Sequence, residues 1–324
     1  NKAKRNSFCV CQCLCSVKQL KNKQIIKYNR KGNFTNMPVN LKGRSLDSLL
    51  NFTTDEVNFL IDTSIDLKKA KYINAHATNR PFIGKNIAIL FQKDSTRTRC
   101  AFEVAAADLG AGVTYIGPQG SNFGKKESIE DTAKVLGRFY DGIEFRGFAQ
   151  SDIDALVQYS GVPVFNGLTD DEHPTQIIAD FMTMKEQFGE LKGKKVVFIG
   201  DIKNNVGHSV LIGAAFTGMH VTLIGPKKYH SQMRPEVIKA CQKLFALNGG
   251  SLSFSDDKIN AFHDNHTEFS AEVSKKFGKK YPVVKTGAME VDNEVFQSKY
   301  NKSFDQAENR MHSIKAIMLA MIGS

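Results

Sequence analysis

The sequence predicts an α/β protein built from two open, parallel-sheet domains. Three observations carry this. Short β-rich apolar runs alternate with helical patterns, as expected for strands covered by helices on both faces. The alternation halts at a polar turn, GELKGKK, and then restarts. Polar clusters recur just beyond strand ends, where open α/β sheets bind ligands.

Taken in order, Thr53-Thr54-Asp55-Glu56 reads as a capping box opening the helix DEVNFLIDTSIDLKKAK. Lys85–Phe91 (KNIAILF) reads as a buried strand, and CAFEVAAADLG as a helix ending at Gly110. Gly112–Gly117 is strand-like, PQGSNFGKKES a loop, and Ile129–Tyr140 a helix. IEFRGF, SDIDALVQYSG and VPVFNGL continue as strand, helix and strand, and a helix runs from about His173 to Phe188. The domain boundary is placed at Gly189–Lys194. Beyond it, KKVVFIGD, VGHSVLIGAAFTG, HVTLIGP, PEVIKACQKLFALNGG and SLSFSDD repeat the alternation.

The 324-residue length allows two domains with a sizeable core. No apolar run reaches transmembrane length. The net charge of +11 suggests nucleic acid, but its location argues otherwise. Residues 1–36 hold nine Lys/Arg and no acid, leaving 35 basic against 33 acidic side chains in the rest. A nucleic-acid reading would therefore rest on the tail alone, and none is expected. Cys9, Cys11, Cys13 and Cys15 alternate within this tail, a spacing that suits a tetrahedral metal poorly. Segment 1–36 is expected to be disordered, or to lie upstream of a start at Met37, ahead of a targeting or metal-binding role. Cys100 and Cys241 fall in helical patterns and read as core thiols in a reduced, cytoplasmic protein.

Five clusters bear on chemistry. QKDSTRTRC (92–100) places three hydroxyl-bearing residues and two arginines where a strand becomes a helix. Free N–H groups and the dipole at a helix start favour an anion, and arginine forks match phosphate oxygens. The plain alternative is a helix cap with surface arginines. No GxxxxGK[ST] precedes it, so nucleotide is not the default anion. Arg146 interrupts the apolar strand IEFRGF near its end. His173 and Gln176 lie three apart at a helix start, where a histidine tends to stay neutral. Asp201–Asn205 (DIKNN) leaves a strand end, as a zwitterion site or a turn. Asp305–Arg310 (DQAENR) opens the last helix.

STRTR, FRGF, HPTQ, GDIKNN and AENRMHSIKAIM, in that order, resemble the ornithine carbamoyltransferases, and among them the catabolic type. STRTRCAFEVAAADLGA, GKKESIEDTAKVLGRFYDGIEFRG and EVFQSKYNKSFDQAENRMHSIKAIM are long and specific stretches of the likeness, which runs from about Met37 onward. The resemblance implies a carbamoyl phosphate domain at 37–188, with helix 304–323 packed back on it, and an ornithine domain at 189–303. It implies transfer of the carbamoyl group to the δ-amine of ornithine, giving citrulline and phosphate in arginine metabolism, without metal or cofactor. Ser95, Thr96, Arg97 and Thr98 would hold the phosphate. Arg146, His173 and Gln176 would hold the carbamoyl group, and Arg310 would reach in from the last helix. Asn205 would hold ornithine. A homotrimer, or a multiple of one, is implied, with Asn122 offered to the neighbouring subunit.

The resemblance breaks in the second half. The Asp-x-x-x-Ser-Met-Gly and His-Cys-Leu-Pro segments of the family are absent, and SLSFSDDKIN runs directly into AFHDNHTEFS. An internal deletion of about two strand-helix units is the expectation. It would leave KKVVFIG as an exposed sheet edge. It also raises an alternative: an inactive relative that binds carbamoyl phosphate only.

Overall fold

The structure, a computed structural model, describes residues 7–10, 39–72, 80–119, 123, 127–256 and 301–323. In chain order its elements are β1 (Ser7–Val10), α1 (Thr54–Tyr72), β2 (Asn86–Phe91), α2 (Thr96–Leu109), β3 (Gly112–Ile116), α3 (Ile129–Phe139), β4 (Gly142–Arg146), α4 (Gln150–Ser160), β5 (Val164–Leu168), α5 (Pro174–Phe188), β6 (Lys195–Ile199), α6 (Asn205–Thr217), β7 (His220–Ile224), α7 (Lys227–His230), α8 (Pro235–Asn248), β8 (Ser251–Ser255) and α9 (Ser303–Ile322). The chain divides into two compact units. One comprises 16–169, 174–182 and 307–324, and the other 1–15, 170–173 and 183–306.

The first unit holds an all-parallel sheet in the order β3-β2-β4-β5. NIAILF of β2 is buried from Ile87 onward, because helices cover both faces. Leu90, Ile143 and Phe145 of the strands pack with Ala133 and Leu136 of α3 and Ile153 and Leu156 of α4. The capping box forms: Thr53 N–H donates to Glu56 Oε2 at 2.7 Å, and Glu56 N–H donates to Thr53 Oγ1 at 3.3 Å. The C-terminal helix belongs to this core, with Ile314, Ile317, Met318 and Met321 buried. Gly43 N–H donates to the Met321 carbonyl at 2.8 Å.

The second unit has the order β1-β6-β7-β8, also parallel. Helix α6 is buried along Gly207–Thr217, which explains its nearly continuous apolar sequence. Two expectations change here. Ser7–Val10, expected to be part of a disordered tail, forms a strand. It runs parallel to β6, with Ser7 level with Lys195 and Val10 level with Phe198. KKVVFIG is therefore not a bare edge, because this strand takes up its outer backbone groups. Residues 1–6 and 11–36 of the tail, and the proposed junction after SLSFSDD, lie outside the described residues. Cys241 is buried as expected, and burial pushes its thiol up to about 12. Cys100 is exposed instead, since it lies on the outer face of α2. No described helix is long and apolar enough to cross a membrane.

Gly137 of α3 touches the backbone of α4 so closely that a β-carbon there would lie 1.7 Å from the Ser160 carbonyl oxygen. Gly137→Ala is therefore expected to lower unfolding stability by about 1–3 kcal/mol, read from urea denaturation. His312 gives a second test. It is fully buried, and burial, then the charge of Lys315, lowers its pKa to about 4. The folded chain thus keeps it neutral while the unfolded chain takes up the proton below 6.5. Stability should fall as pH drops from about 6.5 toward about 4, and His312→Gln should flatten that slope in acid melts.

Candidate active site

In the sheet β3-β2-β4-β5 the chain leaves β2 for β3 on one side, then returns to β2's other side for β4. Connections that diverge in this way open a crevice beyond the strands' carboxyl ends. Phe91 and Arg146 end level with one another there, and Gln92 N–H donates to the Arg146 carbonyl at 2.8 Å. The Gln92 side chain braces the rim, donating to Asp152 at 2.8 Å and accepting from Phe148 N–H at 3.1 Å.

Helix α2 begins at this crevice. Ser95 is extended, and its Oγ accepts the Thr98 N–H at 3.2 Å, which makes it the N-cap. The plain reading of this serine as a cap is thus correct, yet it does not exhaust the loop. Thr96 and Arg97 stay exposed on the first turn, while Thr98 is fully buried. The Thr98 hydroxyl accepts from Arg310 Nη2 at 2.7 Å and from Arg146 Nη1 at 3.4 Å. Three sequence-distant segments therefore converge on one hydroxyl.

Burial and crowding of positive charge mark this cluster. Burial first, and then the charge of Arg97, lowers Arg310 to about 10. Arg146 is lowered by burial, with Arg97 adding to the shift and Glu144 opposing it. The buried Nε atoms of both Arg146 and Arg310 have no hydrogen-bond partner among the described residues. Like charges crowd together here although each shift disfavours them, and a bound anion would relieve that.

The carboxylates nearby do not do so fully. Glu144 is fully buried, with both oxygens unpartnered among the described residues. Burial pushes its carboxyl well above the ordinary range, against the pull of Arg146 and Arg310. Gly167 leaves room for it, since a β-carbon there would lie 1.8 Å from Glu144 Oε1. Sequence reasoning missed Glu144. The signal was available, because a residue two before Arg146 on a strand shares its face. Asp180, which raises Arg310, accepts from Gln176 Nε2 at 2.9 Å.

Arg99, the second arginine of STRTR, is spent elsewhere. It pairs with Glu103 at 2.9 Å and lies 3.8 Å over the Tyr115 ring. Of the two arginine forks expected from this loop, Arg99 is thus engaged by other partners. The helical (i, i+4) spacing turns Arg99 toward Glu103 instead.

His173 is buried at the N-cap position of α5, and its N–H donates to Ser209 Oγ at 2.9 Å. Asn205 opens α6, while Asn204 supplies the cap, accepting the Gly207 N–H at 2.9 Å. Asn122 lies outside the described residues.

Residues 44–186 match the family described as aspartate/ornithine carbamoyltransferase, carbamoyl-P binding domain, and residues 192–280 and 276–321 match its Asp/Orn binding domain. The chain belongs to this family. It is 64% identical to the catabolic ornithine carbamoyltransferase of Malacoplasma penetrans over 341 aligned positions, covering 89% of this chain and all of the relative. It is 58% identical to the enzyme of the same name from Mycoplasma pneumoniae, again over 89% of this chain and all of the relative. Among solved structures, the ornithine carbamoyltransferase of Pyrococcus furiosus matches with a TM-score of 0.77 at 34% identity, covering 88% of this chain and 98% of that one. Thr98 and Arg146 thus fall in the stretch matched to the carbamoyl-P binding domain, and Arg310 in a stretch matched to the Asp/Orn binding domain.

If Thr98, Arg146 and Arg310 form an anion site, Arg310→Met should weaken inorganic phosphate binding by at least about tenfold in calorimetry, the order expected for losing a charge-assisted bond. Arg99→Met, on a side chain already paired, should change it by less than about twofold.

Proposed function

We propose that the chain is an ornithine carbamoyltransferase, transferring the carbamoyl group of carbamoyl phosphate to the δ-amine of ornithine. The observation that carries this is the meeting of Arg146 and Arg310 on the Thr98 hydroxyl, at a helix start beyond two diverging strands. The catabolic ornithine carbamoyltransferases to which the chain is 64% and 58% identical support the substrate.

In this reading Ser95, Thr96, Arg97 and Thr98 hold the phosphate, with the first-turn N–H groups as further donors. Arg146, His173 and Gln176 surround the carbamoyl group, and Arg310 reaches the same ligand from α9. The uncharged δ-amine attacks the carbonyl carbon. A C–N bond forms, the bond between the carbonyl carbon and the bridging phosphate oxygen breaks, phosphate leaves with the electron pair, and the amine sheds one proton. Donors near the carbonyl oxygen stabilise the negative charge that builds there. The guanidiniums already in place neutralise the leaving phosphate without reorganising. Asn205 belongs to the ornithine contacts.

The remaining parts of the reading rest on the resemblance. The chain works in the cytoplasm as a homotrimer or a multiple of one, and Asn122 completes a neighbour's site. The segment 37–188 with 304–323 is the carbamoyl phosphate domain and 189–303 the ornithine domain. The second domain lacks several dozen residues of its relatives, including their Ser-Met-Gly and His-Cys-Leu-Pro segments.

The test is citrulline formation by the full chain from carbamoyl phosphate and ornithine. Turnover that falls by at least about a thousandfold in Arg97→Ala is expected, the order seen when a preorganised charge donor is removed. Phosphate binding without any citrulline would instead support a relative that retains only the carbamoyl phosphate half.

A further inference from the structure

The loop that carries His173 is tied to the start of α6 by two residues that the proposed reaction does not use. Arg234 grips Asp171 twice. Its Nη1 pairs with Asp171 Oδ2 at 2.9 Å, and its Nη2 donates to the Asp171 carbonyl at 2.9 Å. The backbone of Arg234 is fixed in turn, because its N–H donates to His208 Nε2 at 2.9 Å. That bond decides the tautomer. Nε2 accepts, so Nδ1 bears the hydrogen and donates to the Asn204 carbonyl at 2.9 Å. Asn204 caps α6, and Asn205 is the next residue. A second tie joins the same pieces, His173 N–H to Ser209 Oγ at 2.9 Å.

We infer that Arg234 and His208 are positioning residues, linking the loop of His173 to the helix start of Asn205 so that both keep one fixed geometry. This rests on the reading of His173 and Asn205 as substrate-binding residues. The chemistry at each link is specific. A guanidinium fork can hold a carboxylate and a carbonyl of one residue together, whereas an ammonium holds one point. His208 serves only while neutral, since a protonated ring has no acceptor for the Arg234 N–H. Its surroundings favour neutrality: burial first, then Arg234, lower its affinity for a proton, against the Asn204 carbonyl, Asp171 and Glu236. Acid should therefore open the link only below the ordinary histidine value of 6.5.

The experiment compares the full chain with Arg234→Met, Arg234→Lys and Asp171→Asn. Asp171 is partly exposed, so that third variant keeps the test open should an Arg234 variant fail to fold. Amide hydrogen exchange at His173 should speed up at least about tenfold in Arg234→Met and Asp171→Asn, with Arg234→Lys in between. Citrulline kcat should fall about ten- to a hundredfold, the order expected for misplacing a contact group. Inorganic phosphate affinity should stay within about twofold, since that site stands on other residues. In the parent chain, exchange at His173 should accelerate on acidification below 6.5, beyond its intrinsic pH dependence. Unchanged exchange at His173 in these variants, or slower exchange, overturns the inference, and so does faster exchange with an unchanged kcat. If the parent chain makes no citrulline, the proposed function fails while the exchange measurements still decide whether the link exists.

Discussion

Everything proposed for the first unit depends on one hydroxyl. Thr98 accepts two guanidinium donors, from Arg146 and Arg310, while its own N–H caps back to Ser95. That arrangement draws three positive side chains toward a helix N-terminus, which is itself positive. Such an assembly is costly unless something negative joins it. Glu144, the fully buried carboxyl on the same strand as Arg146, supplies that charge incompletely because burial opposes its ionisation. The fold thus carries a cost that an anionic ligand would offset, and perturbed, crowded groups of this kind cluster at functional sites.

The rest of the unit supports this placement. The sheet order brings the ends of β2 and β4 side by side, and β2 is buried from Ile87 to its end at the crevice. The buried C-terminal helix supplies Arg310 from more than two hundred residues away in sequence. In the second unit the same logic appears with different chemistry. A neutral histidine, forced into one tautomer by its two backbone partners, joins a loop to a helix start.

Much was legible from the sequence because it depends on short-range rules. Apolar runs bounded by glycine became strands. The Thr53–Glu56 box became a reciprocal cap, and Gly110 ended α2 in the left-handed conformation. The family emerged from ordered motifs, since STRTR, FRGF, HPTQ and AENR each keep their place. Other features were read wrongly because they depend on partners distant in sequence. Cys100 follows a helical pattern, but which face of α2 is covered is decided by the sheet. Arg99 looks equivalent to Arg97 in STRTR until Glu103 and Tyr115 claim it. Ser7–Val10 is too short to announce a strand until β6 offers it an edge.

The sequence by itself determined the α/β class, the element order and the family, because periodicity, caps and motif order are properties of neighbouring residues. Only the tertiary structure decided that Arg146 and Arg310 share Thr98, that Glu144 is sealed beneath them, and that Arg234 and His208 bind the His173 loop to α6. Those facts depend on how strands and helices pack, and packing joins residues that no local rule connects.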